Sequence, residues 1–187
     1  MPILTSRKAF AFTIVAMFHV AKEEKGAAMN LETRLVAICK GRGVTLATAE
    51  SCTGGLVAER ITSVPGSSAV FLGGVVSYAN AVKRDLLGVP QEILGRAGAV
   101  SAPCAEAMAV GARDRLMADV AVSVTGIAGP EGGTPQKPVG LVFLGLATSA
   151  GVRSERCQFE GDREAVRRQA SDRALSLLAE SVQMAGA

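Results

Sequence analysis

The chain has 187 residues and a mass of 19.1 kDa, is 49% hydrophobic and 20% charged, and has a mean hydropathy of +0.31, which fits one compact, turn-rich domain and excludes a disordered chain. Its formal charge is +3, but four basic and two acidic residues precede Met29, and the 16 basic and 15 acidic residues that remain net only +1, too little for a nucleic-acid or anionic-membrane footprint. The single histidine, His19, also lies in that N-terminal stretch, so Ser-His-Asp triads, Cys-His pairs, HExxH motifs and Cys/His zinc sites are excluded from the rest.

Residues 1–29 differ in character from the remainder of the chain. Arg7 and Lys8 precede an apolar run, Ala9–Ala21, and KEEKG comes after it. The run is shorter than the roughly 17–25 residues of a membrane span. It has the basic and apolar regions of a signal peptide. The favoured alternative is an over-long start, with Met29 the initiator or the extension poorly ordered, because everything after it reads as a cytoplasmic enzyme.

From Asn30 the pattern becomes regular. Leu31, Leu35, Val36 and Ile38 predict a short amphipathic helix that ends at Gly41–Gly43. Val44–Ala49 reads as a strand, and Ser51–Thr53 as the start of a helix carrying Leu56, Val57 and Ile61 inward. Ala69–Tyr78 is a strand with a Gly73–Gly74 break, the mark of a bulge. Ala81–Leu87 gives a helical turn or two, stopped by Gly88 and Pro90. Ser101–Met117 is a long helix with Ser101 as N-cap and Pro103 in its first turn. Asp119–Thr125, Val139–Ala147 and Val152–Phe159 are strands, the last two a hairpin turning near Ser149–Gly151. Gly161-Asp162 then caps a final helix with Val166, Ala170, Ala174, Leu177 and Leu178 on one face. Early alternation of strands and helices, with two adjacent strands late in the chain, predicts an α/β protein: a three-layer α/β/α sandwich with a mixed sheet over residues 30–187.

Cys39, Cys52, Cys104 and Cys157 are well separated and form no CxxC, so free thiols in a reducing compartment are expected. Aromatic residues make up 4% of the chain, with no Trp and only Tyr78 as tyrosine, which weakens any reading as a base-stacking platform.

Four stretches carry chemistry. TAESCTGG, Thr48–Gly55, sits at a strand-to-helix turn. Exposed amides and the helix dipole there suit an anion or a developing oxyanion, with Thr53 and Gly54 near the ligand. Plain N-capping by Ser51 or Thr53 is the bland alternative. Glu50 either orients a ligand hydroxyl or amine or is a surface carboxylate. SYANAVK, Ser77–Lys83, holds one of only three lysines after Met29. A lysine becomes a general base when desolvation or a nearby cation lowers its pKa. Ser51 activated by Lys83 is the arrangement a histidine-free domain allows, if the fold brings the two to the ends of neighbouring strands; otherwise Lys83 is a solvated helix residue. VTGIAGPEGGTPQKPVG, Val124–Gly140, is a strand and a Gly/Pro-rich loop of the kind that binds ligands beyond strand ends; Thr125, Gly126 and Gly129 are candidates to hold a substrate oxygen or phosphate. GDREAVRRQA, Gly161–Ala170, puts Arg163 in a first helical turn, against the dipole by about 0.3–1 kcal/mol. With Arg167 one turn on, it grips a phosphate or forms part of a solvated face.

Taken in order, TAESCTGG, FLGGVVSYANAVKRDLLGV, GAVS, VSVTGIAGPEGG, KPVGLVF and GDREAVRRQA resemble the C-terminal domain family of the competence/damage-inducible protein CinA over about Leu31–Ala179. Stand-alone members are nicotinamide-nucleotide amidases. The resemblance implies hydrolysis of the carboxamide of nicotinamide mononucleotide to nicotinate mononucleotide and ammonia, in pyridine nucleotide salvage. It implies a Ser/Lys mechanism with Ser51 and Lys83 in those roles, and no metal or cofactor. It also implies an anticodon-binding-like fold and a homodimer.

The residue reading and the resemblance converge on one expectation. Neutral Lys83, assisted by Tyr78, takes the Ser51 proton, and Oγ attacks the amide carbon. Donors near Ser51 and at Thr125-Gly126 hold the oxyanion. The alternatives are a non-catalytic nucleotide- or partner-binding module, and an RNA-binding domain suggested by fold analogy alone. No membrane partner is expected.

Overall fold

Apolar side chains alternate between two buried faces along the central strands, and this sets the architecture. A computed structural model describes residues 29–184 of the chain; the signal-peptide reading and the extension ahead of Met29 lie outside that range. The elements, in order, are α1 (Leu31–Arg42), β1 (Leu46–Glu50), α2 (Leu56–Thr62), a 3-10 turn (Ser67–Ala69), β2 (Phe71–Val76), α3 (Asn80–Leu87), α4 (Gln91–Arg96), α5 (Ala102–Leu116), β3 (Val120–Gly126), β4 (Leu141–Thr148), β5 (Gly151–Gln158) and α6 (Arg163–Met184).

The five strands form one mixed sheet in the order β2-β1-β3-β4-β5. β1 pairs in parallel with both β2 and β3, and β3-β4 and β4-β5 are antiparallel. Leu46 of β1 and Val120, Val122 and Val124 of β3 face α1, α2 and α6, where Leu35, Val36, Val57, Ile61, Val166, Ala170 and Leu178 complete one core. Ala47 and Ala49 of β1 and Ala121 of β3 face the other way, onto Leu87, Leu94, Cys104, Met108 and Ala112 of α3, α4 and α5. Period-2 alternation with both faces apolar is what a sheet covered on both sides requires. The predicted α/β/α sandwich is therefore the fold.

The layers meet closely. Ser123 Oγ in β3 donates to the Ala105 carbonyl of α5 at 2.5 Å and accepts from the Gly145 amide of β4 at 3.2 Å. A Cβ at Gly145 would collide with that carbonyl and that hydroxyl, so only glycine lets the helix lie this near the sheet.

The topology also makes a crevice. β1 connects through α2 to β2 on one side of it, and β2 returns through α3–α5 to β3 on the other. Connections that leave along opposite faces separate at the strand ends, which is where open α/β sheets bind ligands.

Three details differ from the sequence reading. α2 starts at Leu56 rather than at Ser51–Thr53. α4 escapes the sequence reading, because six residues after Pro90 are too few to show a helical period and the proline reads only as a stop. The bulge lies at Leu72: Leu46 pairs with Phe71 and Ala47 with Gly73, so one β2 residue is extra. Ser101 caps α5, its side chain accepting from the Cys104 amide as expected.

Candidate active site

β1 ends at Glu50, and its last residues are pinned from both sides. The Ser77 amide donates to the Glu50 carbonyl at 2.7 Å, and the Ser51 amide to the Val124 carbonyl of β3 at 2.9 Å. Ser51 is thereby held at the crevice with its own N–H already used. The reading in which donors near Ser51 hold an oxyanion therefore loses that amide.

Lys83 reaches Ser51 from α3. Its Nζ lies 3.0 Å from Ser51 Oγ, donates to the Ser77 carbonyl at 2.5 Å, and is 3.4 Å from the Tyr78 carbonyl. Lys83 is 1% exposed and Ser51 9%. Among the described residues no carboxylate pairs with this ammonium. Burial pushes its pKa below the ordinary lysine value, and the buried thiols of Cys104 and Cys52 oppose that only weakly. A neutral lysine nitrogen in contact with a serine hydroxyl is a base beside a nucleophile. Lys83 is thus no solvated helix residue.

Cys52, next in the chain, is the other nucleophile type within reach. Burial pushes its thiol up to about 11, so it stays protonated and unreactive near neutral pH.

Glu50 has a structural role that neither of its readings gave. It is 1% exposed, so it is no surface carboxylate. Its Oε2 accepts the amides of Gly55 and Val57 at 2.9 and 3.1 Å, and its Oε1 that of Ala58 at 2.8 Å. It caps α2 from the preceding strand, with both carboxylate oxygens held by backbone amides. Neither Ser51 nor Thr53 caps: the N-cap is Gly55, with φ +101° and no side-chain cap bond, a backbone state that favours glycine. Thr53 is fully buried, its hydroxyl without a partner among the described residues. Its carbonyl accepts from Arg167 Nη2 at 2.7 Å, and Gly54 lies exposed beside that guanidinium.

The opposite wall comes from β3 and the loop behind it. Thr125 is 1% exposed and its hydroxyl donates to the Ala99 carbonyl at 2.8 Å, so it holds protein backbone rather than standing free for a ligand. Gly126 is paired with Val142 in the sheet. Gly129 precedes a cis peptide bond to Pro130, and its carbonyl accepts from Arg163 Nη1 at 2.9 Å. Arg163 Nη2 sits 3.4 Å from the Tyr78 hydroxyl. Tyr78 is 64% exposed: its phenol stands with Arg163, and only its main-chain carbonyl touches Lys83. A direct assist of the phenol to Lys83 is therefore not the arrangement found.

Arg163, Arg167, Arg168 and Arg60 line a surface pocket of about 840 Å³ between α2 and α6. Arg60 is committed to Glu32, Asp172 and Ser171. Arg163 and Arg167 form no ion pair among the described residues and bond only neutral oxygens. The sequence spacing places these two on one face; which loops they clasp depends on the fold. Ser77, whose carbonyl holds Lys83, carries no sequence signal beyond its place in the motif. No helix among the described residues is long and apolar enough to cross a membrane.

Comparison with known proteins agrees with the motif order. The family described as CinA C-terminal domain matches residues 28–182. A CinA-like protein of Geotalea uraniireducens (strain Rf4) is 54% identical over 138 residues, covering 74% of this chain and 33% of its own. A CinA-like protein of Geobacter sulfurreducens is 53% identical over 138 residues, with the same coverage. The chain thus spans about a third of the length of these curated relatives. Among solved structures, the competence/damage inducible protein CihA from Agrobacterium tumefaciens superposes with a TM-score of 0.79 at 43% identity, over 82% of this chain and 93% of that one. The competence damage-inducible protein A (ComA) from Klebsiella pneumoniae subsp. pneumoniae MGH 78578 gives 0.79 at 35%, over 82% and 95%.

Proposed function

This chain belongs to the CinA C-terminal domain family, and on that premise we propose that it is an amidase that hydrolyses the carboxamide of nicotinamide mononucleotide. The observation that carries the reading is the buried 3.0 Å contact between Lys83 Nζ and Ser51 Oγ, with no carboxylate among the described residues to keep the lysine charged. In the first half-reaction neutral Lys83 accepts the Ser51 proton as Oγ bonds to the amide carbon. The tetrahedral species collapses, the C–N bond breaks, and Lys83 returns the proton so that ammonia leaves. In the second half, water loses a proton to Lys83 and attacks the ester. Ser51 takes the proton back and nicotinate mononucleotide departs. The base gains and loses one proton in each half, so no net proton stays on the enzyme.

The nucleotide phosphate is assigned to Arg163 and Arg167. Two guanidiniums without carboxylate partners among the described residues, clasping the loops on either side of Ser51, are the donor set a phosphate monoester needs. The pocket of about 840 Å³ that they line, together with Asp162, Glu164 and Asp172 and without Ser51 or Lys83, has room for the phosphate end of a mononucleotide.

Ammonia release from nicotinamide mononucleotide tests the reading. Wild type should turn over, and Ser51→Ala and Lys83→Ala should each lose at least about 10³-fold in kcat, in the range seen when a nucleophile or its base is removed, with circular dichroism unchanged. Tight nucleotide binding without ammonia release would instead make the domain a non-catalytic binding module.

A further inference from the structure

The stretch between α4 and α5 is irregular, yet each of its four successive carbonyls is held by a side chain. Lys137 Nζ donates to Ala97 and Val100 at 2.7 Å each, Ser101 Oγ to Gly98 at 2.7 Å, and Thr125 Oγ1 to Ala99 at 2.8 Å. Irregular backbone normally leaves such groups to water. Here they are immobilised, and two of the four depend on one ammonium.

The base of Lys137 is fixed as well. Its amide donates to the Thr134 carbonyl and hydroxyl at 3.1 and 3.0 Å, and its carbonyl accepts from the Thr134 amide at 2.8 Å. Lys137 belongs to the Gly/Pro-rich loop after β3, whereas its partners precede α5. It therefore ties together the two walls that β3 separates. The anchored stretch is linked to Ser51 through β3: Thr125, which holds Ala99, comes directly after Val124, whose carbonyl takes the Ser51 amide. The first turn of α5 carries Cys104, a thiol within electrostatic reach of both Lys83 and Lys137.

We infer that Lys137 is a positioning residue, a clamp that holds the 97–100 stretch and the Gly/Pro-rich loop in register around the Ser51–Lys83 pair. A methionine would keep the stem and lose every donor. An arginine would keep the charge and offer two N–H groups to the two carbonyls. The catalytic part of this inference rests on the amidase reading; the clamp itself does not.

Two measurements on the full chain test it, in wild type, Lys137→Met and Lys137→Arg. The first is hydrogen exchange of the amides of residues 97–101. The second is the rate at which a fluorophosphonate phosphonylates Ser51, together with kcat and KM for nicotinamide mononucleotide. Lys137→Met should exchange faster across 97–101 and lose ~10–100-fold in phosphonylation rate and kcat, the scale of a small misplacement of reacting groups. Its KM should stay within a few-fold. Lys137→Arg should recover most of both effects. Unchanged exchange in Lys137→Met would overturn the clamp. Faster exchange with wild-type phosphonylation, or an arginine variant as slow as the methionine one, would overturn the positioning role. If wild type is neither phosphonylated nor active, the amidase reading falls, and exchange alone decides whether Lys137 is the clamp.

Discussion

Lys83 shows how one side chain is shaped by its surroundings. Removing an ammonium from water without a counter-charge penalises its charged form, and burial lowers the pKa of this group. Between the lowered folded value and the ordinary value of about 10.4, the unfolded chain binds more protons than the folded one. Stability therefore rises with pH through that window. Lys83→Met removes the titration. The stability difference between wild type and Lys83→Met should move in favour of wild type as pH rises towards 10, and urea unfolding across pH 7–10 measures it. A flat difference would mean that Lys83 titrates normally. Activity follows the folded value alone: turnover should rise with pH as folded Lys83 loses its proton and level off above it.

At the scale of elements, α2 illustrates a helix start made by another element. Seven residues cannot sustain a helix alone, and the N-cap Gly55 has no side chain to offer. Glu50, the last residue of β1, accepts three amides at the start of α2. This ties the direction of the strand to that of the helix and so fixes the turn that carries Ser51. Glu50→Ala should destabilise the protein by about 1–3 kcal/mol, the cost of leaving the buried Val57 amide unmet, with smaller losses at the part-buried amides of Gly55 and Ala58. Glu50→Gln, with one acceptor oxygen left, should fall between. Equilibrium urea denaturation decides it, and an exposed, idle Glu50 would give a change under about 0.5 kcal/mol. Under the proposed amidase function, turnover by Glu50→Ala should also fall, because the turn that carries Ser51 loses its anchor to α2.

Over the whole molecule, the crevice joins segments distant in the chain: the turn after β1, the start of α3, the loop after β3 and the first turns of α6. A ligand that spans them links those segments and raises the stability of the folded state. In a Ser51→Ala protein, nicotinamide mononucleotide at 100 times its Kd should add about 2.7 kcal/mol and raise Tm by about 5–10 °C for a chain of this size. Arg163→Ala combined with Arg167→Ala should abolish most of that rise, measured against the double variant's own unliganded Tm, which falls because the bonds to the Gly129 and Thr53 carbonyls are lost. A rise that survives the double substitution would place the phosphate elsewhere.

What the sequence determined by itself is what depends on near neighbours. Period-2 runs set both faces of β1 and β3, Ser101 and Pro103 open α5 where expected, and Gly88 ends α3 in the left-handed conformation. The lack of a histidine after His19 leaves carboxylate, lysine and tyrosine as the side chains open to a base role. The tertiary structure decided which distant groups meet. Ser51 and Lys83 are 32 residues apart, and they touch because β1 and β2 are parallel neighbours whose ends are joined through Ser77 and Glu50. Arg167 meets Thr53, 114 residues away, because α2 and α6 cover the same face of the sheet. The role of Glu50 is hidden in the sequence because nothing local distinguishes a carboxylate that faces a ligand from one that faces three amides. Propensity and periodicity act over a few residues, whereas strand order and register choose partners across the whole chain.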